Sequence, residues 1–483
     1  MQPENVLAFD SPPGPDEWDR FHEYARLIKV IVFNLDHHQP FLHQMTQYLP
    51  TSSLFPNLKC FRWCSSTDTK HPPPSFFLSK SVDCLEVSIH KDANVGNLFR
   101  NMTMASCNPQ SVRAGVQEDV PKSSVQLLIY ILDILPWTHL TTIDITHLCV
   151  DLPSDQDIIV SLSCLKYLTI CRLFITGADY GEDVDRILPH YTEGFVSLRK
   201  LYVQWTGGRY LYRAVERLID NIRSARLESV TMRLPSPPHH DSLPTTWIVN
   251  IFQVLSNHRI LKLHVDYRHV KSEGNISDPF RTGFLHPDAL ETLFKITSLQ
   301  SLIFHNVETY WDHSLAFKMA KAWPYIQVIH FLSYSVSKPL SGLRSKPGNR
   351  LDIRDLIHFA KNCRQLCSIN IPLYSMFQFE EDISIQYKLD TKAERYIYLE
   401  DQAIYSFNNL ATAAFLYRLF GPGVRVPLRR GFSLHRALGI YTETTELGGD
   451  SLTVRLDYNC WSGKGPDDAL ADDESLESYW QEK

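Results

Sequence analysis

No surplus of positive charge runs through this sequence: 48 Lys and Arg stand against 54 Asp and Glu, a net charge of −6. Without a positive field nothing general draws in a phosphate backbone or an anionic bilayer, so neither nucleic acid nor a membrane is an expected partner. Long apolar runs are missing too. The most apolar window, Val125 to Leu135, is interrupted by Asp133 and falls far short of the ~20 residues that span a bilayer. The first twenty residues hold Glu4, Asp10, Asp16, Glu17 and Asp19 without a basic cluster or an apolar core, which excludes a secretory signal. The chain is therefore expected to be intracellular, in the cytoplasm, the nucleus or both.

In a reducing compartment the ten cysteines read as buried small residues and stray thiols, because disulfide frameworks belong mainly to much shorter secreted chains. The sequons at Asn101 and Asn275 read as chance matches. Catalytic signatures are scarce as well. A phosphate-binding loop ending at Gly463 and Lys464 needs a glycine where Tyr458 stands. No serine sits in a Gly-x-Ser-x-Gly elbow. Cys60 with Cys64 and Cys363 with Cys367 have suggestive spacing, but each pair straddles the start of a strand phrase, and metal binding is not expected even with His358 nearby. His37, His38, His239 and His240 read as surface histidines. No catalytic residue, cofactor or metal is expected, and the chain does not read as an enzyme.

What the sequence does have is one phrase, repeated. Leu198, Leu201 and Val203 place aliphatic residues at the first, fourth and sixth positions of a short run. The same roles recur at Ile28 (Ile31, Phe33), Leu58 (Phe61, Trp63), Leu140 (Ile143, Ile145), Leu165 (Leu168, Ile170), Leu227 (Val230, Met232), Ile260 (Leu263, Val265), Leu299 (Leu302, Phe304), Ile326 (Ile329, Phe331) and Leu366 (Ile369, Ile371). Starts fall mostly 25 to 40 residues apart, looser than the compact repeat of roughly 20 to 29 residues. At 483 residues the length alone suggests about three domains, but a stacked array needs no such division. Apolar content of 44% and charged content of 21% suit a folded chain.

The expected fold is α/β: a leucine-rich-repeat solenoid, a curved parallel sheet with helices on its convex side. A repeat cannot bury its apolar face alone, so neighbours share one core. Side chains alternate along a strand, and the residues between the aliphatic ones therefore face outward together. Those positions are Tyr167, Thr169, Lys200, Tyr202, Gln204, Thr231, Arg233, Lys262, His264, Asp266, Ser301, His305 and His330. Tyr, Arg and His are residue types that anchor interfaces, and this set is the candidate protein-binding surface.

Helical spacing appears at Asp16 to Ala25, Val215 to Ile222, Trp247 to Leu255, Asp288 to Ile296, Asp312 to Ala322 and Asp352 to Lys361, each upstream of a phrase. Pro287 before Asp288 suits a helix N-terminus. Between Leu85 and Leu140 the spacing doubles and Asn94 to Lys122 is polar, either a degenerate unit or a long insertion; an apolar helix is expected from Ser123. Pro235 to Pro244 and Ser333 to Asn349 read as protruding loops. The expected organisation is a disordered segment over 1–15, the solenoid over 16–373 with an insertion near 90–122, a C-terminal repeat or cap region over 374–460 with a helix at Ala411 to Phe420, and an acidic disordered tail over 461–483. Arg418, Arg425, Arg429, Arg430 and Arg436 form a basic stretch that reads as exposed cap surface or as a counterpart to that tail rather than a phosphate site.

The stretch from Pro15 to Phe33, "PDEWDRFHEYARLIKVIVF", then "LFPNLKCFRW" at Leu54 to Trp63 and "LSCLKYLTI" at Leu162 to Ile170 resemble fungal F-box and leucine-rich-repeat proteins in the region after the F-box. "GFVSLRKLYV", "LETLFKITSLQSLIF" and "AAFLYRLF" continue the likeness along nearly the whole chain. The resemblance implies a substrate-recognition part of an SCF-type ubiquitin ligase adaptor, whose F-box docks on the Skp adaptor of a cullin complex while the repeats select a protein substrate. An F-box is not visible: 27 residues precede the first phrase, with no Leu-Pro start and with Val6, Leu7 and Phe9 as their sole apolar cluster. The expectation is either a truncated chain, whose Skp and cullin contacts need an F-box upstream, or a repeat-only scaffold with no ubiquitin link.

Overall fold

The computed structural model describes residues 14–34, 54–64, 77–89, 106–116, 139–151, 156–177, 194–207, 211–235, 246–268, 283–309, 311–332, 351–371, 395–398, 415–416, 419–420 and 424–425. The chain divides into two units, Met1–Tyr374 and Ser375–Lys483.

The first unit is an α/β repeat solenoid. Its strands are β1 (Val30–Asn34), β2 (Cys60–Cys64), β3 (Cys84–Ile89), β4 (Ser111–Val116), β5 (Thr142–Asp151), β6 (Ile170–Gly177), β7 (Lys200–Gly207), β8 (Ser229–Pro235), β9 (Lys262–Arg268), β10 (Gly283–Leu285), β11 (Ser301–His305), β12 (Val307–Thr309), β13 (Val328–Leu332) and β14 (Ser368–Asn370). All but β10 and β12 form one open parallel sheet of twelve strands in chain order, while β10 and β12 make a separate parallel pair. Parallel neighbours require a crossover between them. Among the described residues the helices are α1 (Pro15–Ala25), α2 (Gln156–Ser163), α3 (Leu211–Asp220), α4 (Thr246–Leu255), α5 (Pro287–Leu293), α6 (His313–Ala322) and α7 (Leu356–Asn362), the last entered through a 3₁₀ turn at Ile353–Asp355. None is long and apolar enough to cross a membrane.

One backbone device repeats in every coil. The carbonyl of Thr169 accepts both the Arg199 and Lys200 amides, and Arg199 in turn serves the amides of Glu228 and Ser229. Eleven such carbonyls run from Lys29 to Gln327, each taking two amides of the following coil at 2.7 to 3.1 Å. Side chains reinforce the column: Ser81, Ser197 and Ser298 hydroxyls donate to the carbonyls of Leu58, Lys166 and Ile260. These bonds set the register that stacks the aliphatic rungs. Leu201, Val230, Leu263, Leu302 and Ile329 lie in register on consecutive sheet strands, and each is at most 2% exposed. The helices add their own buried stripes, such as Ala289, Leu290 and Leu293 of α5.

Local signals account for the helix ends. Pro15 and Pro287 sit at first helical positions, where proline forfeits no hydrogen bond. The Asp312 side chain accepts the Leu315 amide at 2.6 Å, and Asp352 caps the 3₁₀ turn through the Arg354 amide, so each aspartate satisfies a donor the helix cannot.

Two expectations need correction. The polar stretch near 90–122 contains β4, paired in parallel with β3 and β5, so part of it is a repeat unit rather than an insertion. Its sequence, SVRAGV, holds no leucine, isoleucine or aromatic residue, too little apolar bulk to announce a strand. The second correction is register: Leu168, not Leu165, fills the place of Leu198, because Cys171 and Leu173 pair with Leu201 and Val203. Two leucines three residues apart offered both alignments.

In the second unit β15 (Arg395–Tyr398) pairs in parallel with β16 (Val424–Arg425). Residues 415–416 and 419–420 are helical within the expected Ala411 to Phe420 segment, and Phe415, Leu416, Leu419 and Phe420 are buried. The helix expected from Ser123, the Ser333 to Asn349 loop, His37, His38, His239, His240, most of the basic arginines and the acidic tail lie outside the described residues.

Candidate functional site

The outer face of the sheet, opposite the buried rungs, carries one residue per strand in each column. In the slot between the two inward residues, β2 to β6 present Arg62, Glu86, Arg113, Asp144 and Arg172 in register. Signs alternate, and each neighbour pairs with the next: Arg62 Nε with Glu86, Arg113 with Glu86 at 3.9 Å, Arg113 Nε with Asp144 Oδ2 at 3.2 Å, and Arg172 with Asp144 at 3.6 Å. Asp144 is 7% exposed, so the flanking guanidiniums stand in for much of the water its carboxylate has lost.

From β7 onward the same column reads Tyr202, Thr231, His264, Ile303 and His330. On its two sides stand Lys200, Ser229, Lys262 and Ser301, and Gln204, Arg233, Asp266 and His305. Tyr202 donates to Gln204 at 3.3 Å. The Arg233 guanidinium lies over the Tyr202 ring, 5.0 Å from its centroid, and its Nε is 3.8 Å from Asp266. The His264 and His305 rings approach to 4.9 Å, and His330 Nε2 meets the Ser368 hydroxyl at 2.7 Å. Burial, and secondly the neighbouring His305, push the His330 imidazole down to about 4, so it is neutral at pH 7. This patch is a set of large polar-tipped side chains already held by one another.

Of the thirteen expected outward residues, eleven lie together on this face. Tyr167 and Thr169 do not, because the strand of their coil begins at Ile170. Tyr167 sits exposed in the preceding turn, and Thr169 spends its carbonyl on the backbone column while its hydroxyl donates to Thr141. Arg172 and Phe174 take their places. Sequence reasoning missed the ionic ladder, although a signal exists: the middle slots of "FRW", "LEV", "VRA", "IDI" and "CRL" alternate in sign once the phrases are aligned.

The cysteine spacings resolve differently from their sequence appearance. Cys60 lies at one end of β2 and Cys64 at the other, and the neighbour of Cys60 is Cys84 on β3. The Cys60 and Cys84 thiols gather with Glu86. Burial, then Cys60, raises the Cys84 thiol to about 12, which keeps it protonated. Cys363 is buried and donates to the carbonyls of Ala320 and Trp323, each at 3.5 Å, whereas Cys367 donates to Gln365. A second cluster joins His313 of α6, Asp355 of the 3₁₀ turn and His358 of α7. His313 Nδ1 bonds to the Asp355 carboxylate, and the Nε2 atoms of the two histidines are 3.5 Å apart. No protein-family model matches the chain, and no curated protein matches it.

Proposed function

We propose that the first unit is a protein-recognition module whose docking surface is the outer face of β7 to β13, acting without catalytic residues of its own. The observation that carries this reading is the contiguous group of Tyr202, Arg233, His264, Asp266, His305 and His330 on that face. Side chains immobilised before a partner arrives lose little rotamer freedom on binding, and Tyr and Arg are the residue types in which interface energy concentrates. The ladder over β2 to β6 is a poorer anchor, because a partner would have to desolvate charges that are already paired.

The likeness of the ordered repeat phrases to fungal F-box and leucine-rich-repeat proteins supports a more specific assignment, the selection of a protein substrate for a cullin ubiquitin ligase. The test is purification of the tagged full-length gene product beside its Tyr202→Ala/His264→Ala variant, with the bound proteins identified by mass spectrometry. The expected result is a Skp adaptor and a cullin with both chains and at least one further protein lost from the variant. Loss of a protein with no adaptor or cullin on either chain overturns the ligase assignment and leaves a scaffold. Identical profiles overturn the docking face.

A further inference from the structure

His313 and His358 stand on consecutive helical segments, 45 residues apart in the chain, with no part in the outer face. Their geometry has a chemical reading. The Asp355 side chain is 2% exposed. One of its oxygens accepts the Asp352 amide at 2.8 Å, and the other faces His313 Nδ1. A carboxylate accepts only, so the imidazole proton of neutral His313 sits on Nδ1 and its lone pair on Nε2. Nε2 of His358 lies 3.5 Å from that atom.

As a hydrogen bond the N···N contact is longer than the normal range. As a pair of ligands it is well sized. Two bonds of about 2.0 to 2.1 Å at a tetrahedral centre hold their nitrogens about 3.4 Å apart. A buried carboxylate behind the first histidine is also the usual outer partner of a metal-bound imidazole, fixing its tautomer and raising its basicity. Phe317, with its ring 5.3 Å from that of His358, shields one side. His313 keeps 75% of its side chain exposed, which leaves an entry path and open positions for water.

We propose that His313 Nε2 and His358 Nε2 bind a borderline divalent transition metal, with zinc the physiological choice, and that Asp355 is the residue positioning His313. The ion cross-links two adjacent coils through α6 and α7 and leaves coordination positions free for water or a third donor. The proposal is independent of the docking face.

The test is calorimetric titration of the full chain with zinc chloride, beside His313→Gln, His358→Gln and the double variant. The double variant should bind one equivalent fewer, and each single variant should lose at least tenfold in affinity at that site. Cobalt(II) added to the wild type should give a visible absorption band that the double variant lacks, and zinc should raise the melting temperature of the wild type alone. Equal stoichiometry and equal cobalt spectra in wild type and double variant overturn the site. Because the His313 side chain is largely solvent-facing, His313→Gln remains a folded test should the His358 variants fail to fold.

Discussion

Arg113 and Asp144, 31 residues apart in the chain, meet Nε to Oδ2 at 3.2 Å across adjacent strands of the outer face. Asp144 also holds Arg172 from the other side. Replacing Asp144 with alanine leaves two guanidiniums facing each other, each about a third exposed and able to swing toward water. A loss of about 1 to 2 kcal/mol is expected in urea unfolding, persisting in 1 M salt because the pair is sheltered. The solvent-facing pair Lys59–Asp83, at 2.8 Å with both side chains about half exposed, is the control: Asp83→Ala should cost under about 1 kcal/mol and lose that effect in salt.

Tyr202 and His264 share one column but contribute little to the core. The double alanine variant should lower partner affinity at least tenfold while the melting temperature moves by only a few degrees. Unfolding of the double variant at room temperature would mean that these residues support the array rather than a partner.

His330 supplies a pH dependence of known sign. Its folded-state pKa is near 4, against an ordinary 6.5. Between those values the unfolded chain takes up a proton that the folded chain refuses. Stability therefore falls as the pH drops through 6.5 and the His330 contribution levels off below about 4, a change on the order of 3 kcal/mol. The His330→Gln variant should show a shallower decline over this window in denaturation series at matched ionic strength.

Trp323 is fully buried, with its ring 5.4 Å from Phe294 and its carbonyl accepting from Cys363. Trp323→Ala should cost about 3 to 5 kcal/mol through the cavity it opens. Tyr325, two residues on and 58% exposed, should tolerate alanine within about 0.5 kcal/mol. Comparable losses in the two variants would mean that the inward and outward assignment is reversed here.

The aliphatic rungs were legible because Leu, Ile and Val recur at fixed offsets inside each phrase, and those offsets alone predict a parallel array. Residues such as Tyr202, Arg233 and His264 followed from the same alternation. The strand at Ser111–Val116 was not legible, since its apolar residues are Val112, Ala114 and Val116, without the large aliphatic or aromatic side chains that mark the other phrases. Tyr167 and Thr169 were misplaced because Leu165 and Leu168 are chemically alike and only strand pairing separates them. The ionic ladder and the His313–Asp355–His358 cluster join residues from different coils of variable length. No periodicity within one phrase brings their partners into view.

The doubled carbonyl contacts from Lys29 to Gln327 have a mechanical consequence. Each fastening secures a coil only to its neighbour, so tension applied along the chain meets many modest clasps in series instead of a single strong lock. Stretched in an optical trap, the first unit should lengthen as a staircase, releasing roughly 80 to 140 Å of extended chain per tread, with tread lengths that follow the uneven coil sizes from Lys29 onward.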